Sequence, residues 1–133
     1  MVCLETTFMI DLINGRISID YLEKNFSKKE IFIASPTILE IIRGLNLESN
    51  SKNIKPREEE ETKRIISLFS VLDFGKEEAI LAGEIEARLS NEGSIIDIED
   101  IMTGAICIKN EEILVTKNKK HFEKIPDLKI SDY

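Results

Sequence analysis

Compact apolar runs alternate with amphipathic stretches along this chain, and that alternation predicts its elements. Val2 to Glu5 reads as a short strand, and Thr6 to Ile13 as a helix stopped by Asn14-Gly15. Ile19, Leu22 and Phe26 share one face of a helix over 18–26. Ile31-Phe32-Ile33-Ala34 is continuous and apolar, as a strand buried on both faces is. Ser35 suits an N-cap and Pro36 the first helical position of a helix carrying Ile38, Leu39, Ile41, Ile42 and Leu45. Residues 46–56 are linker-like and predict a loop inside a domain, since too little chain precedes them for a separate core. Pro56 leads into a helix through Leu68, with glutamates in the first turn where the helix dipole favours them. Beyond it the pattern predicts a short strand over 71–74 ended by Gly75, and a long helix over 77–89 closed by Asn91 and Gly93. A helix over 97–109, a buried strand over 113–116, a short helix over 119–124 and a strand over 128–130 complete it.

Strands separated by helices imply parallel pairing, with helices on both faces of the sheet. The expected fold is therefore α/β, three layers around a central parallel sheet, in one domain over residues 1–133. In such sheets ligands bind at the carboxyl ends of strands, near the point where strand order reverses. The polar residues at those ends are the candidates for chemistry.

Glu5 ends the first strand, where glutamate is a poor strand residue and interrupts an apolar start. Thr116, Lys117 and Asn118 end the strand over 113–116, and Asp97 and Asp100 begin the helix before it. Glu40 lies about a turn into the helix after Ala34, flanked by Leu39 and Ile41. A parallel sheet can bring these groups to one edge. Three carboxylates and an amide oxygen suit a hard cation such as Mg²⁺ or Mn²⁺, which activates water and stabilises charge on a phosphate. Plainer roles are open to each. Asp97 and Asp100 fit the N-cap and third positions of a helix, Glu40 could pair with Arg43 in solvent, and Asn118 could be a turn residue.

Composition narrows the class. The chain is 42% hydrophobic and 32% charged over 133 residues, ordinary for a globular protein with a core of its own. The N-terminus has no basic leader and no apolar run is long enough to span a bilayer, so a cytoplasmic protein without a membrane partner is expected. Cys3 and Cys107 stand far apart in apolar surroundings and predict buried free thiols; with one histidine, zinc chemistry of the His/Cys kind is nearly excluded. The net charge of −7 argues against a nucleic-acid substrate until its distribution is considered. The acidic excess comes largely from Glu58 to Glu61 and from Glu77, Glu78, Glu84 and Glu86, while Lys117, Lys119, Lys120, His121 and Lys124 form a basic cluster. That cluster is either a solvated helix face or a patch for an RNA backbone.

Four ordered segments together resemble the PIN-domain family, in particular its VapC-type ribonuclease toxins. Leu4-Glu5-Thr6-Thr7-Phe8-Met9-Ile10-Asp11 looks like the first motif, with Glu5 where Asp is the rule and Thr7 where Asn is common. Ser35 to Ile41 looks like the second and Asp100 to Ala105 like the third. Leu114 to Phe122, followed by Ile125-Pro126-Asp127-Leu128, looks like the fourth, with Asn118 where Asp is frequent. The resemblance spans nearly the whole chain. It implies a PIN-like α/β sandwich and a Mg²⁺- or Mn²⁺-dependent endoribonuclease, usually dimeric and held inactive by a cognate antitoxin. It places Glu5, Glu40 and Asp100 as metal-site acids, Asn118 at the fourth catalytic position, and Thr6 and Thr116 as hydroxyl supports; Asp97 is a further supporting candidate. Lys117, Lys119, Lys120 and Lys124 are the candidate RNA contacts. A basic antitoxin would suit the acidic chain. A dimer is expected through residues 36–47 and 57–70, whose Ile38, Ile42, Leu45, Ile65, Ile66 and Phe69 exceed what one sheet face needs.

Two other classes compete. A PIN-like module that binds RNA or protein without cutting is favoured by Glu5 and Asn118, and metal-dependent cleavage discriminates it. A receiver-like signalling module also gathers acids at strand ends, but expects an acid after the second or third strand, where Ala34-Ser35-Pro36 stands instead.

Overall fold

A computed structural model describes residues 1–26, 30–48 and 56–133. Its elements run β1 (Val2–Leu4), α1 (Thr6–Ile13), α2 (Ile19–Asn25), β2 (Ile31–Ala34), α3 (Ser35–Glu48) and α4 (Pro56–Ile66). They continue with β3 (Ser70–Leu72), α5 (Lys76–Asn91), α6 (Ile98–Lys109), β4 (Ile113–Val115), α7 (Lys119–Phe122) and β5 (Ile130–Ser131). All five strands are parallel, in the order β3-β2-β1-β4-β5.

Side-chain alternation along the strands builds the three layers. Leu4, Ile33 and Val115 point to one face, where Phe8, Met9, Leu12, Leu22, Ile41 and Ile65 of α1 to α4 cover them. Cys3, Ala34 and Leu114 point to the other, under Ala82, Ile85 and Leu89 of α5, Ile101, Ala105 and Ile106 of α6, and Phe122 of α7. Cys3 and Cys107, distant in sequence, are buried side by side in this second layer. Cys3 and burial together push the Cys107 thiol well up, so it stays a protonated, inert packing residue. Gly104 lets the chain after α7 lie close on α6, because a Cβ there would stand 2.9 Å from Ile125 Cδ1.

The chain steps outward from β1 to β2 to β3, then returns to the far side of β1 to place β4. The reversal lies between β1 and β4, so the crevice for a ligand opens at the carboxyl ends of these two strands. Their register pairs Leu4 with Val115, which brings Glu5 and Thr116 out side by side. The Glu5 amide donates to the Val115 carbonyl at 3.0 Å and extends that alignment past the strand.

Several sequence expectations change. Glu5 is no strand residue but the N-cap of α1. Ser35 begins α3, and its hydroxyl accepts from the Phe74 amide at 3.2 Å, tying α3 to the segment after β3. The expected loop over 46–56 yields Asn46 to Glu48 to α3 and Pro56 to α4, and 49–55 lie outside the described residues. β3 begins at Ser70 and ends at Leu72, before Asp73 and Phe74. The apolar surplus expected for a dimer is partly consumed inside: Ile65 is buried, and Ile38, Ile66 and Phe69 pack on the first layer. No helix among the described residues is long and apolar enough to cross a membrane.

Candidate active site

Glu5 turns its side chain back over the start of α1. Its Oε2 accepts from the Thr7 amide at 3.0 Å, the Thr7 hydroxyl at 2.5 Å and the Thr116 hydroxyl at 2.8 Å. The residue is 5% exposed. The first of these bonds caps α1, and the last is a product of the β1/β4 register. Thr116 in turn accepts from the Asn118 amide at 3.0 Å, so the turn after β4 is fastened to the same hydroxyl.

Glu40 projects from α3 toward the start of α1, where its Oε1 accepts from the Thr6 hydroxyl at 2.9 Å. It does not pair with Arg43, whose guanidinium bonds to Glu99 and so joins α3 to α6. Glu40 also lines a cleft of about 150 Å³ between α1 and α3, walled by Ile10, Ile13 and Ile41. Burial against such walls, with repulsion from Asp100, Glu5 and Glu99, pushes its carboxyl up to about 7 despite the Thr6 hydroxyl.

Asp100 lies in the first turn of α6, and its Oδ2 accepts from His121 Nε2 at 2.7 Å. Burial raises its carboxyl, the imidazole opposes that, and Asp97 and Glu99 add to the rise. Asp97 is the N-cap of α6 by position, but its exposed side chain makes no capping hydrogen bond. Asn118 is the N-cap of α7, likewise without a side-chain bond, and is exposed.

Glu5, Glu40 and Asp100 thus come from the N-cap of α1, from α3 and from α6 to the carboxyl end of the sheet, close enough for Asp100 and Glu5 to repel Glu40. As the side chains lie, no three Asp, Glu, His or Cys among the described residues enclose a cation. The donor set nevertheless fits a hard divalent ion. It is all carboxylate oxygen, it repels itself, and the bonds its members accept come from hydroxyls, an amide and one imidazole.

Lys117 departs from its expected place. Its ammonium bonds to Asp11 Oδ2 at 2.5 Å and lies 5.2 Å from the centre of the Tyr133 ring. Lys119, Lys120 and Lys124 are exposed on and after α7. Sequence reasoning placed His121 in the basic cluster and within the fourth motif, gave it no role at the site, and missed its bond to Asp100. Thr7 was missed as a donor to Glu5 in the same way, although a hydroxyl two residues after a strand-end acid was a signal for it.

An α/β sandwich with acids gathered at the β1/β4 crevice defines the class, and the sequence agrees: this chain belongs to the PIN-domain family, whose profile matches residues 2–128. Its relatives are of VapC type. It is 30% identical over 110 residues to the tRNA(fMet)-specific endonuclease VapC of Salmonella typhimurium, spanning 82% of this chain and 80% of the relative. Among solved structures it resembles the DNA-bound VapBC of Salmonella typhimurium, with a TM-score of 0.84 and 28% identity over 99% of this chain and 98% of that one. It also resembles VapBC2 of Rickettsia felis bound to a promoter DNA fragment, with a TM-score of 0.81 and 26% identity over 100% and 99% of the two chains.

Proposed function

We propose that this protein is a metal-dependent endoribonuclease and the toxin of a toxin–antitoxin pair, acting in the cytoplasm on RNA phosphodiesters. The observation that carries the reading is the gathering of Glu5, Glu40 and Asp100 at the β1/β4 crevice with no lysine or arginine bonded to any of them among the described residues. Mg²⁺ or Mn²⁺ is the cation, held by these three acids. When bound, it supplies activated water at neutral pH and neutralises charge on the phosphate. Thr6 and Thr116 orient Glu40 and Glu5, and Asn118 completes the edge as a neutral oxygen donor. Lys119, Lys120 and Lys124 face the RNA backbone. The ribonuclease name of the Salmonella relative supports the RNA substrate, and the VapBC complexes support an antitoxin partner. Self-association through the segments 36–47 and 57–70 belongs to this reading, and Leu39 of α3 and Leu68 are exposed apolar side chains within them.

A non-cutting PIN-like binding module is the second reading. One observation favours it: Glu5 Oε2 is already engaged by three donors.

Glu5 decides between them. Glu5→Asp shortens the side chain by one methylene and restores the residue usual in the family. It should match or exceed the wild type in Mn²⁺ affinity by calorimetry and in RNA cleavage, while Glu5→Ala loses both. If Glu5→Ala binds Mn²⁺ and cuts RNA like the wild type, Glu5 is no ligand. If the wild type does neither, the binding-module reading stands instead.

A further inference from the structure

His121 is the single histidine of the chain, and the metal, hydroxyl and RNA-binding roles leave it unused. Its Nε2 lies 2.7 Å from Asp100 Oδ2, so Nε2 carries the hydrogen that the carboxylate accepts. Nδ1 has no hydrogen-bond partner among the described residues. The ring itself is well placed. Its amide donates to the Asn118 carbonyl at 3.1 Å, and the ring stands edge-to-face on Phe122 at 5.2 Å, a residue 1% exposed in the second layer. Asp100 has no other side-chain partner among the described residues. An aspartate in a first helical turn has several staggered rotamers open to it, and this bond selects one.

A wider arrangement follows. The segment from Thr116 to His121 grips two of the three acids from one side: Thr116 holds Glu5 and His121 holds Asp100. Partners of this kind fix the orientation of a ligating carboxylate and tune the affinity of a metal site.

We propose that His121 is a positioning residue of the cation site: its Nε2–H fixes Asp100 Oδ2 and leaves Oδ1 as the oxygen offered to a divalent ion. This rests on the reading of Asp100 as a metal-site acid.

The test compares two amides. In His121→Gln the side-chain nitrogen reaches about as far as Nε2, and in His121→Asn only about as far as Nδ1, so both stay polar and only one can serve Asp100. Mn²⁺ binding is measured by calorimetry on the full chain, with circular dichroism confirming that each variant is folded. The expected result is a Kd about 10- to 100-fold weaker for His121→Asn and within about threefold of wild type for His121→Gln. RNA cleavage should follow the same order. If His121→Asn binds Mn²⁺ as wild type does, His121 is an ordinary surface ring and the inference falls. If both variants lose binding equally, the imidazole acts as more than a donor to Asp100, and positioning is again the wrong role. If the wild type itself binds no Mn²⁺, the assignment of the acids falls and takes this inference with it.

Discussion

Asp11 and Glu40 sit on neighbouring helices of the same layer and have opposite fates. Asp11, on α1, is 4% exposed, yet it is surrounded by donors and cations. It accepts from Lys117 at 2.5 Å, from the Tyr133 hydroxyl at 2.8 Å and from Arg16 at 3.1 Å. Lys117 and Tyr133 hold its carboxyl at about 2, below its ordinary range, against the burial that would raise it. Glu40, on α3, has a single hydroxyl for a partner among the described residues and other acids for neighbours, and its carboxyl rises to about 7. An acid neutralised by its own chain is part of the scaffold. An acid left with a hydroxyl and with repulsion resists ionisation, and in the function proposed above a cation is what offsets that cost.

Four variants press on that contrast. The largest effect is expected at Glu40. Glu40→Gln should lower Mn²⁺-stimulated RNA cleavage by at least about a hundredfold, as loss of a metal-site group does. In metal-free buffer the same change should stabilise the fold. A carboxyl raised to about 7 from 4.5 gives stability that is present below pH 4.5 and lost as pH rises through 7. Thermal melts should therefore show Glu40→Gln about equal to wild type at pH 4 and above it at pH 8. A variant less stable than wild type at pH 8 would make Glu40 a structural residue like Asp11.

Asp11→Asn should do the reverse, costing on the order of 2 kcal/mol at pH 7 from the loss of charge-assisted hydrogen bonds. RNA cleavage at a temperature where the variant is folded should be nearly unchanged. A carboxyl depressed to about 2 gives stability that is present above pH 3.8 and lost as pH falls through 2. The gap between variant and wild type in urea titrations should therefore narrow between pH 4 and pH 2. An equal gap at both ends would mean that the charge of Asp11 is not what matters.

The smallest effect separates the lysines. Replacing Lys119 and Lys120 together by Gln should flatten the dependence of RNA affinity on salt, since each lysine withdrawn from a phosphate lowers the slope by roughly one unit. Lys117→Gln should leave the slope nearly unchanged and reduce stability, because its ammonium is engaged with Asp11. A slope that responds to Lys117 and not to the other two would place the RNA on the Asp11 side of the site.

Much of the architecture was legible along the chain. The apolar runs at Val2–Leu4, Ile31–Ala34 and Ile113–Val115 became the three inner strands, and the helices between them required parallel pairing. The parallel sheet pointed to Glu5, Thr116, Glu40 and Asp100 near its strand ends, and the family motifs added their roles. Boundaries were less legible where one polar residue could serve two purposes. Ser35 reads as a cap by propensity, but tertiary packing gave its hydroxyl to Phe74.

What the order of residues determined by itself is periodicity, and periodicity is local: which segments are strands, which face of each helix is apolar, and which acids fall near strand ends. What only the tertiary structure decided is who meets whom. Thr116 reaches Glu5 across 111 positions because β1 and β4 pair in one register, and Tyr133 reaches Asp11 across 122. His121 became the partner of Asp100, and Lys117 that of Asp11, although both belong to one run of basic residues. Hydrogen bonds and ion pairs act over a few ångströms, and no pattern along the chain sets distances of that size between residues brought together only by the packing of a sheet and its two helical layers.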